Sequence, residues 1–433
     1  MWLHQWYASW RGRMARASRA SNGPGATTGA LTHSARRSGP RLGVRLRLEQ
    51  LEDRTLPSNF FAATVSDLIA DINLANKDGG TDTITLTAPT TSPYVLTAVD
   101  NNADGANGLP VIKKALTIVG NGDTIERSTA SGTPDFRLFD VANGGSLTLQ
   151  NLTQQNGLAF GWGSAAEGGA IYNQGALVLS GATIQANSAI GSNGAPGVGF
   201  NKDGGSGRDA AGGGIWSNGS LTLENGSQIL FNLAVGGNGG QGIGPIQCNK
   251  FANGGNASGG GVYVAGGTAD LLNANMSNNV ALGGQPGFNV VDGFQDSATG
   301  NGGRALGGAL DVAAGTVSLT GVLVNGNAAD GGSTPYFNGF FPCQSFPPPP
   351  NAYGGGIYVG GGTLTLCNDI AENNMALGGY PTGRGFGGGI YIVSGATVYI
   401  DSFTVAHTIN NTDISGLNGS TANIGGTYTL KNC

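Results

Sequence analysis

A chain of 433 residues with 80 glycines and only 11% charged residues departs from an ordinary globular composition, in which glycine is about 7% and charge about 25%. It has neither a collagen-type Gly-x-y period nor a stretch approaching the roughly 18 apolar residues of a membrane span, so a triple helix and a helical transmembrane segment are both excluded. The net charge of −5 hides an asymmetry: residues 1–58 hold ten arginines against Glu49, Glu52 and Asp53, and the remainder holds eleven basic and twenty-three acidic residues. The acidic body lacks the basic face that phosphate neutralisation requires, so no nucleic-acid partner is expected.

The basic leader, residues 1–58, reads as a targeting or disordered segment. Trp2, Trp6 and Trp10 recur every four residues beside Arg11, Arg13 and Arg16, a pattern shared by interfacial helices and by unstructured tails. No apolar h-region precedes residue 58, and Arg36-Arg37 is followed by Arg41, Arg45 and Arg47 instead of an apolar run, so neither standard export signal is present. The string RLEQLEDRTLPS at residues 47–58 resembles the short motif near the N-terminus of many planctomycete surface and secreted proteins. That resemblance covers a dozen residues and implies a secreted or envelope location.

Residues 59–112 are expected to form an N-terminal cap and first coil. In the segment 64–78, Val65, Leu68, Ile69 and Ile72 lie at i, i+3, i+4 and i+7, with Thr64 as N-cap and Gly79-Gly80 as the stop; the spacing predicts a short amphipathic capping helix. A strand follows over 83–87 with Ile84 and Leu86 inward. Residues 115–157 read as two further coils.

From residue 168 a repeat is explicit. Gly-Gly-(Ala/Gly)-aliphatic recurs at 168–171, 212–215, 259–262, 307–310, 354–357 and 387–390, at spacings of 44, 47, 48, 47 and 33. In GGALDVAAGTVSLTGVLVNGNAAD, starting at Gly307, the aliphatic pair Leu310 and Val312 precedes a Gly turn. The alternating pair Val317 and Leu319, the pair Val322 and Val324, and then Asn327 follow. Each unit is therefore expected to hold three short strands with bends between them. The strands are too short for hairpins with their sequence neighbours, so each must pair with its equivalent in the next unit. The fold class that follows is all-β: a right-handed parallel β-helix, a solenoid of about eight to nine coils spanning 113–407, with 408–433 as C-terminal cap. Two inward columns are expected, Ile171, Ile215, Val262, Leu310, Ile357 and Ile390 in one, and Leu179, Leu223, Leu271, Leu319, Leu366 and Ile400 in the other. Asn187, Asn232, Asn279, Asn327 and Asn374 fall at one bend of successive coils and are expected to stack as a structural amide ladder. Thr408 stands at that place in the final coil, so the ladder should end there. These GG(A/I/L/V) and xxN elements resemble the repeats of chlamydial polymorphic outer-membrane proteins and autotransporter-like surface β-helices, over residues 168 to about 410. The series of ten-residue amphipathic strands that a translocating β-barrel needs is missing after residue 400, so self-translocation is not carried over.

Glycine-rich insertions at 191–211, 236–258, 283–306, 331–353 and 378–386 all leave from one edge of the solenoid. They are aromatic, and Phe288, Phe294, Tyr336, Phe337, Phe340, Phe341 and Tyr353 are the candidate binding residues for a glycan or cell-surface partner. Rings packed on one another to anchor layered loops are the alternative. The function expected is thus a structural, adhesive or glycan-binding role, with a polysaccharide lyase or glycoside hydrolase as the second reading. For catalysis the best constellation is Asp292, Asp296 and Arg304, set against a solvated loop ion cluster. No metal motif and no cofactor motif is present, and His407 is taken as structural. Cys248 and Cys343 both lie in insertions and could form a disulfide, Cys367 reads as a small core filler, and Cys433 carries no signal.

Overall fold

The computed structural model describes residues 57–77, 79–161, 163–198, 204–243, 252–291, 294–298, 300–333, 350–380, 382–415, 418–420 and 423–433. One coil displays the plan of all. Ala305–Leu306, Leu310–Val312, Thr316–Thr320, Leu323–Asn325 and Ala328–Asp330 are its five strands, and each pairs in parallel with its counterparts one coil before and one coil after. In this order around the coil the stacks form sheet 1 of six strands, sheet 2 of eight, sheet 3 of eleven, sheet 4 of nine and sheet 5 of eight. The molecule is a parallel β-helix.

Five strands per coil replace the three expected. The two extra ones, in sheets 1 and 5, turn alanines inward except in the last coils, where Gly385 and Asp413 take that place, so they carry no aliphatic alternation to betray them. Ala159, Ala189, Ala234, Ala281, Ala329 and Ala376 of sheet 5 share one buried cluster with Ala166, Ala210, Ala257, Ala305 and Ala352 of sheet 1. Methyl groups need little room, so the two sheets close into a narrow neck. The main core lies between sheets 2, 3 and 4. Ile171, Ile215, Val262, Leu310, Ile357 and Ile390 form one column and Leu179, Leu223, Leu271, Leu319, Leu366 and Ile400 another, every one of them buried.

The Gly-Gly doublets join sheet 1 to sheet 2, and their two glycines serve different needs. The first, as at Gly212 and Gly307, has φ of 64° and 61°, a left-handed turn that other residues resist. The second lies against the neighbouring coil: a Cβ on Gly213 would collide with the Gly260 carbonyl, and one on Gly260 with that of Gly308.

Helix α1 (Val65–Ala75) covers the open end of the first coil. Thr64 caps it, with Asp67 bonding back to the Thr64 N–H, and Leu68, Ile72 and Ala75 face inward. Such a cover is required because a bare coil end is both a hydrophobic surface and a row of unpaired backbone groups. At the other end α2 (Ser402–Ala406) interrupts the last full coil. His407 terminates it, with its Nδ1 2.8 Å from the Phe403 carbonyl oxygen and its ring stacked on that of Phe403.

The five ladder asparagines are buried at the bend between sheets 4 and 5. Each Oδ1 from Asn232 onward accepts both the backbone N–H and the Nδ2–H of the asparagine one coil earlier, at 2.8–3.1 Å. The remaining Nδ2–H reaches a sheet 4 carbonyl, as Asn279 does to Ile229 at 2.8 Å. The expected end at Thr408 is wrong. Asn374 donates to Asn411 at 2.9 Å and Asn411 to Asn423 at 3.3 Å. The five-residue helix α2 displaces the register, so that Thr408 takes the inward place opposite Ala371 and Asn411 the bend. The cysteine expectation also needs correction. Cys367 ends a sheet 3 strand half-buried on its outer side and is bonded to Cys433, with Cα atoms 5.8 Å apart. Cys248 and Cys343 lie outside the described residues.

Two substitutions probe this core. Asn279→Ala strands the Asn232 donors and the Ile229 carbonyl, and should lower the unfolding free energy by about 1–3 kcal/mol in a urea titration. Gln154 is wholly buried in the sheet 4 column between Ile125 and Ile184, with neither amide atom hydrogen-bonded. Gln154→Leu should therefore raise the unfolding free energy by about 1–3 kcal/mol.

Candidate functional site

Each insertion leaves sheet 5 through the alanine neck and returns to sheet 1, as an outgoing and a returning limb. The backbone bonding of the limbs has a period of three. Gly194 and Gly197 donate to Asn238 and Gln241 of the next outgoing limb, Arg208 and Gly205 donate to Ser192 and Ala195 within the arm, and Gly237 and Gly240 donate to Arg208 and Gly205, all at 2.7–2.9 Å. Three residues per turn, with every bond going to a neighbour, is the habit of the polyproline II helix, which has no internal hydrogen bonds. Such close backbone packing explains the glycine content: a Cβ at Gly303 would sit on the Gly255 carbonyl, and one at Gly332 on that of Gly284.

The returning limbs present a shelf. Across five of them runs a groove of about 630 Å³, and its side chains are columns too. Asn253 N–H donates to Ser206 Oγ at 3.2 Å and Asn301 N–H to Asn253 Oδ1 at 2.9 Å. In the adjoining column Asn256 N–H donates to Asp209 at 2.6 Å, Arg304 N–H to Asn256 at 2.9 Å and Arg384 N–H to Asn351 at 3.0 Å. These bonds tie the shelf's limbs to one another, and Arg304 and Arg384 are among the residues that line the groove.

Two residues further along each limb, sheet 1 turns out Glu167, Ala211, Ser258, Leu306, Tyr353 and Phe386 in register. Beyond the glycine turn, sheet 2 turns out Tyr172, Trp216, Tyr263, Asp311, Tyr358 and Tyr391. The two outer faces touch, so they meet in a concave corner. Tyr353 stacks on Phe386 with centroids 5.1 Å apart and also reaches Tyr391 at 4.9 Å, Tyr172 stacks on Trp216 at 4.4 Å, and Arg137 lies over Tyr172 at 4.8 Å.

One carboxyl interrupts the rings. Asp311 stands between Tyr263 and Tyr358, is 2% exposed, and has an oxygen without a hydrogen-bond partner. Burial pushes its pKa up to about 8, and the Ser258 hydroxyl offsets this in part. Burial first and the Asp311 charge second push the Tyr263 and Tyr358 hydroxyls up to about 12. At the start of the column Asp140 is pushed up to about 6 by burial and by Asp104, against the pull of Arg137.

Of the aromatic candidates, Tyr353 is on this surface and its hydroxyl receives a bond from Asn351 at 2.9 Å. Phe288 and Phe294 lie on the two strands of an antiparallel hairpin, Phe288–Val291 and Phe294–Ala298, in the third insertion. Tyr336, Phe337, Phe340 and Phe341 lie outside the described residues. So does Asp292, and the Asp296 side chain is likewise undescribed, which leaves Arg304 alone of the catalytic trio. Among the described residues no three His, Cys, Asp or Glu side chains are placed to hold a metal. The sequence reading missed the sheet 2 column, although its signal is visible: an aromatic or Asp directly after an inward aliphatic, two residues after each Gly-Gly-x.

Asp311 also makes stability depend on pH. A carboxyl whose folded pKa is about 8, against about 3.9 unfolded, stabilises the fold below pH 4 and loses that contribution as pH rises toward 8. Asp369, pushed up to about 7 by burial, acts in the same sense. Unfolding free energy should fall between pH 5 and pH 8, and the fall should be shallower in Asp311→Asn. Urea titrations at matched pH values check this. No family model, no curated protein and no solved structure matches the chain.

Proposed function

We propose that the protein works outside the cytoplasm, secreted or held at the cell envelope, as a β-helix that binds glycan along the shelf and the aromatic corner. One observation carries this reading: a groove of about 630 Å³ lined by amides, hydroxyls and guanidiniums beside a column of stacked rings. Sugar rings offer hydroxyls to polar groups and C–H faces to aromatic ones, and a surface offering both, prearranged, loses little entropy on binding. The likeness of residues 47–58 to the planctomycete surface-protein motif supports the location, and the proposal includes membership of that group of β-helix proteins.

A hydrolase or lyase is the second reading, and Asp311 favours it, as a carboxyl that stays protonated near neutral pH has the state a general acid requires. Its burial weighs against it, because a proton donor must reach the bond it cleaves.

Full-length protein on a glycan array, followed by titration of each hit, tests the binding reading. Tyr353→Ala should weaken binding by about tenfold, on the order expected for loss of one stacked ring, with the β-sheet circular dichroism and melting midpoint retained. An array with no hit, or a variant that binds as tightly as the parent, removes the site. Release of new reducing or unsaturated ends from a bound polysaccharide would establish the enzymatic reading instead.

A further inference from the structure

The shelf carries a charge pattern that narrows the ligand. Arg304 and Arg384 flank Asn351 in one column, so their backbones stand two coil rises apart, about 10 Å. Among the described residues neither guanidinium is in an ion pair, and the one ion pair there joins Arg127 to Asp135. Two of the body's eleven basic residues share this one groove. The same column begins with Asp209, so the groove is acidic at one end and basic at the other.

A second observation comes from the neighbouring column. Ser206 and Asn253 each use the side-chain oxygen to accept an N–H from the next coil. Asn301 Oδ1, in the same series, is buried and has no partner, and Asn301 lines the groove. The groove thus sets serine and asparagine residues beside two arginines that no described carboxylate pairs, and a molecule with hydroxyls and negative groups is what suits it.

We propose that the ligand of this groove is an acidic polysaccharide lying along the solenoid axis. Its carboxylate or sulfate groups meet Arg304 and Arg384, and its ring hydroxyls meet the polar residues that line the groove beside them. Asp209 repels an anion at the far end, so the chain sits toward the arginines. The proposal rests on the glycan-binding reading above and specifies its substrate class.

The test uses three soluble probes on the full chain: neutral dextran, dextran sulfate and polygalacturonate, titrated at two salt concentrations. An acidic probe should bind more tightly than dextran and lose affinity with salt. Arg304→Gln/Arg384→Gln should weaken that binding by about tenfold or more and flatten its salt dependence without altering the melting midpoint, and Asp209→Asn should strengthen it. Dextran binding that equals the binding of both acidic probes, or an arginine double variant that binds them like the parent, overturns the acidic preference and leaves glycan binding standing. Absence of binding to all three, together with an empty glycan array, overturns both.

Discussion

Parallel pairing between successive coils holds equivalent residues about 4.8 Å apart along one axis, and the rest of the molecule is a response to that spacing. Whatever a position contains is repeated at van der Waals distance above and below it. Aliphatic residues then pack as columns, and rings stack as Tyr172 and Trp216 do. A buried amide can bond its own kind one coil away, as Asn187, Asn232 and Asn279 do. Charges are the exception, since like would face like. The sheet 2 column admits Asp311 only with its pKa raised to about 8, and the shelf column alternates charged Asp209, Arg304 and Arg384 with neutral Asn256 and Asn351.

The same spacing explains why the insertions extend from the body without dispersing. The alanine neck brings sheets 1 and 5 close enough for outgoing and returning limbs to bond each other, and coil pairing brings successive arms into reach. A limb therefore has partners along the stack and across the arm, which the threefold symmetry of a polyproline II strand can serve. Glycine is required because each partner is a backbone. Function, on the reading proposed, occupies the one face of this bundle where the columns hold asparagine, arginine and serine, next to the rings that close the corner.

Much of this was legible in the residues themselves. The solenoid, its two aliphatic columns, the capping helix at Thr64 and the bend asparagines all have signals of composition and period, since apolar alternation and side-chain amides are chemically conspicuous. What escaped notice was chemically bland. Alanine in sheets 1 and 5 reads as spacer, although it sets the width of the neck. The Cys367–Cys433 bond joins residues 66 apart that no spacing rule links. Thr408 misled because a five-residue helix moved the register by three. The shelf was invisible because its columns follow a period of three inside segments that read as glycine-rich loops, where Asn253 and Asn301 look like ordinary loop polar residues.

The limbs carry one thermal consequence. Burial of hydrocarbon raises the heat capacity of unfolding and burial of peptide groups lowers it, and the described limbs are glycine-rich backbone packed on backbone. Body and arms therefore obey different temperature laws. The body, held by its aliphatic columns, loses driving force on cooling as apolar hydration becomes less costly. The arms, held by amide-to-carbonyl bonds such as those from Gly237 to Arg208 and from Gly255 to Gly237, do not depend on that force.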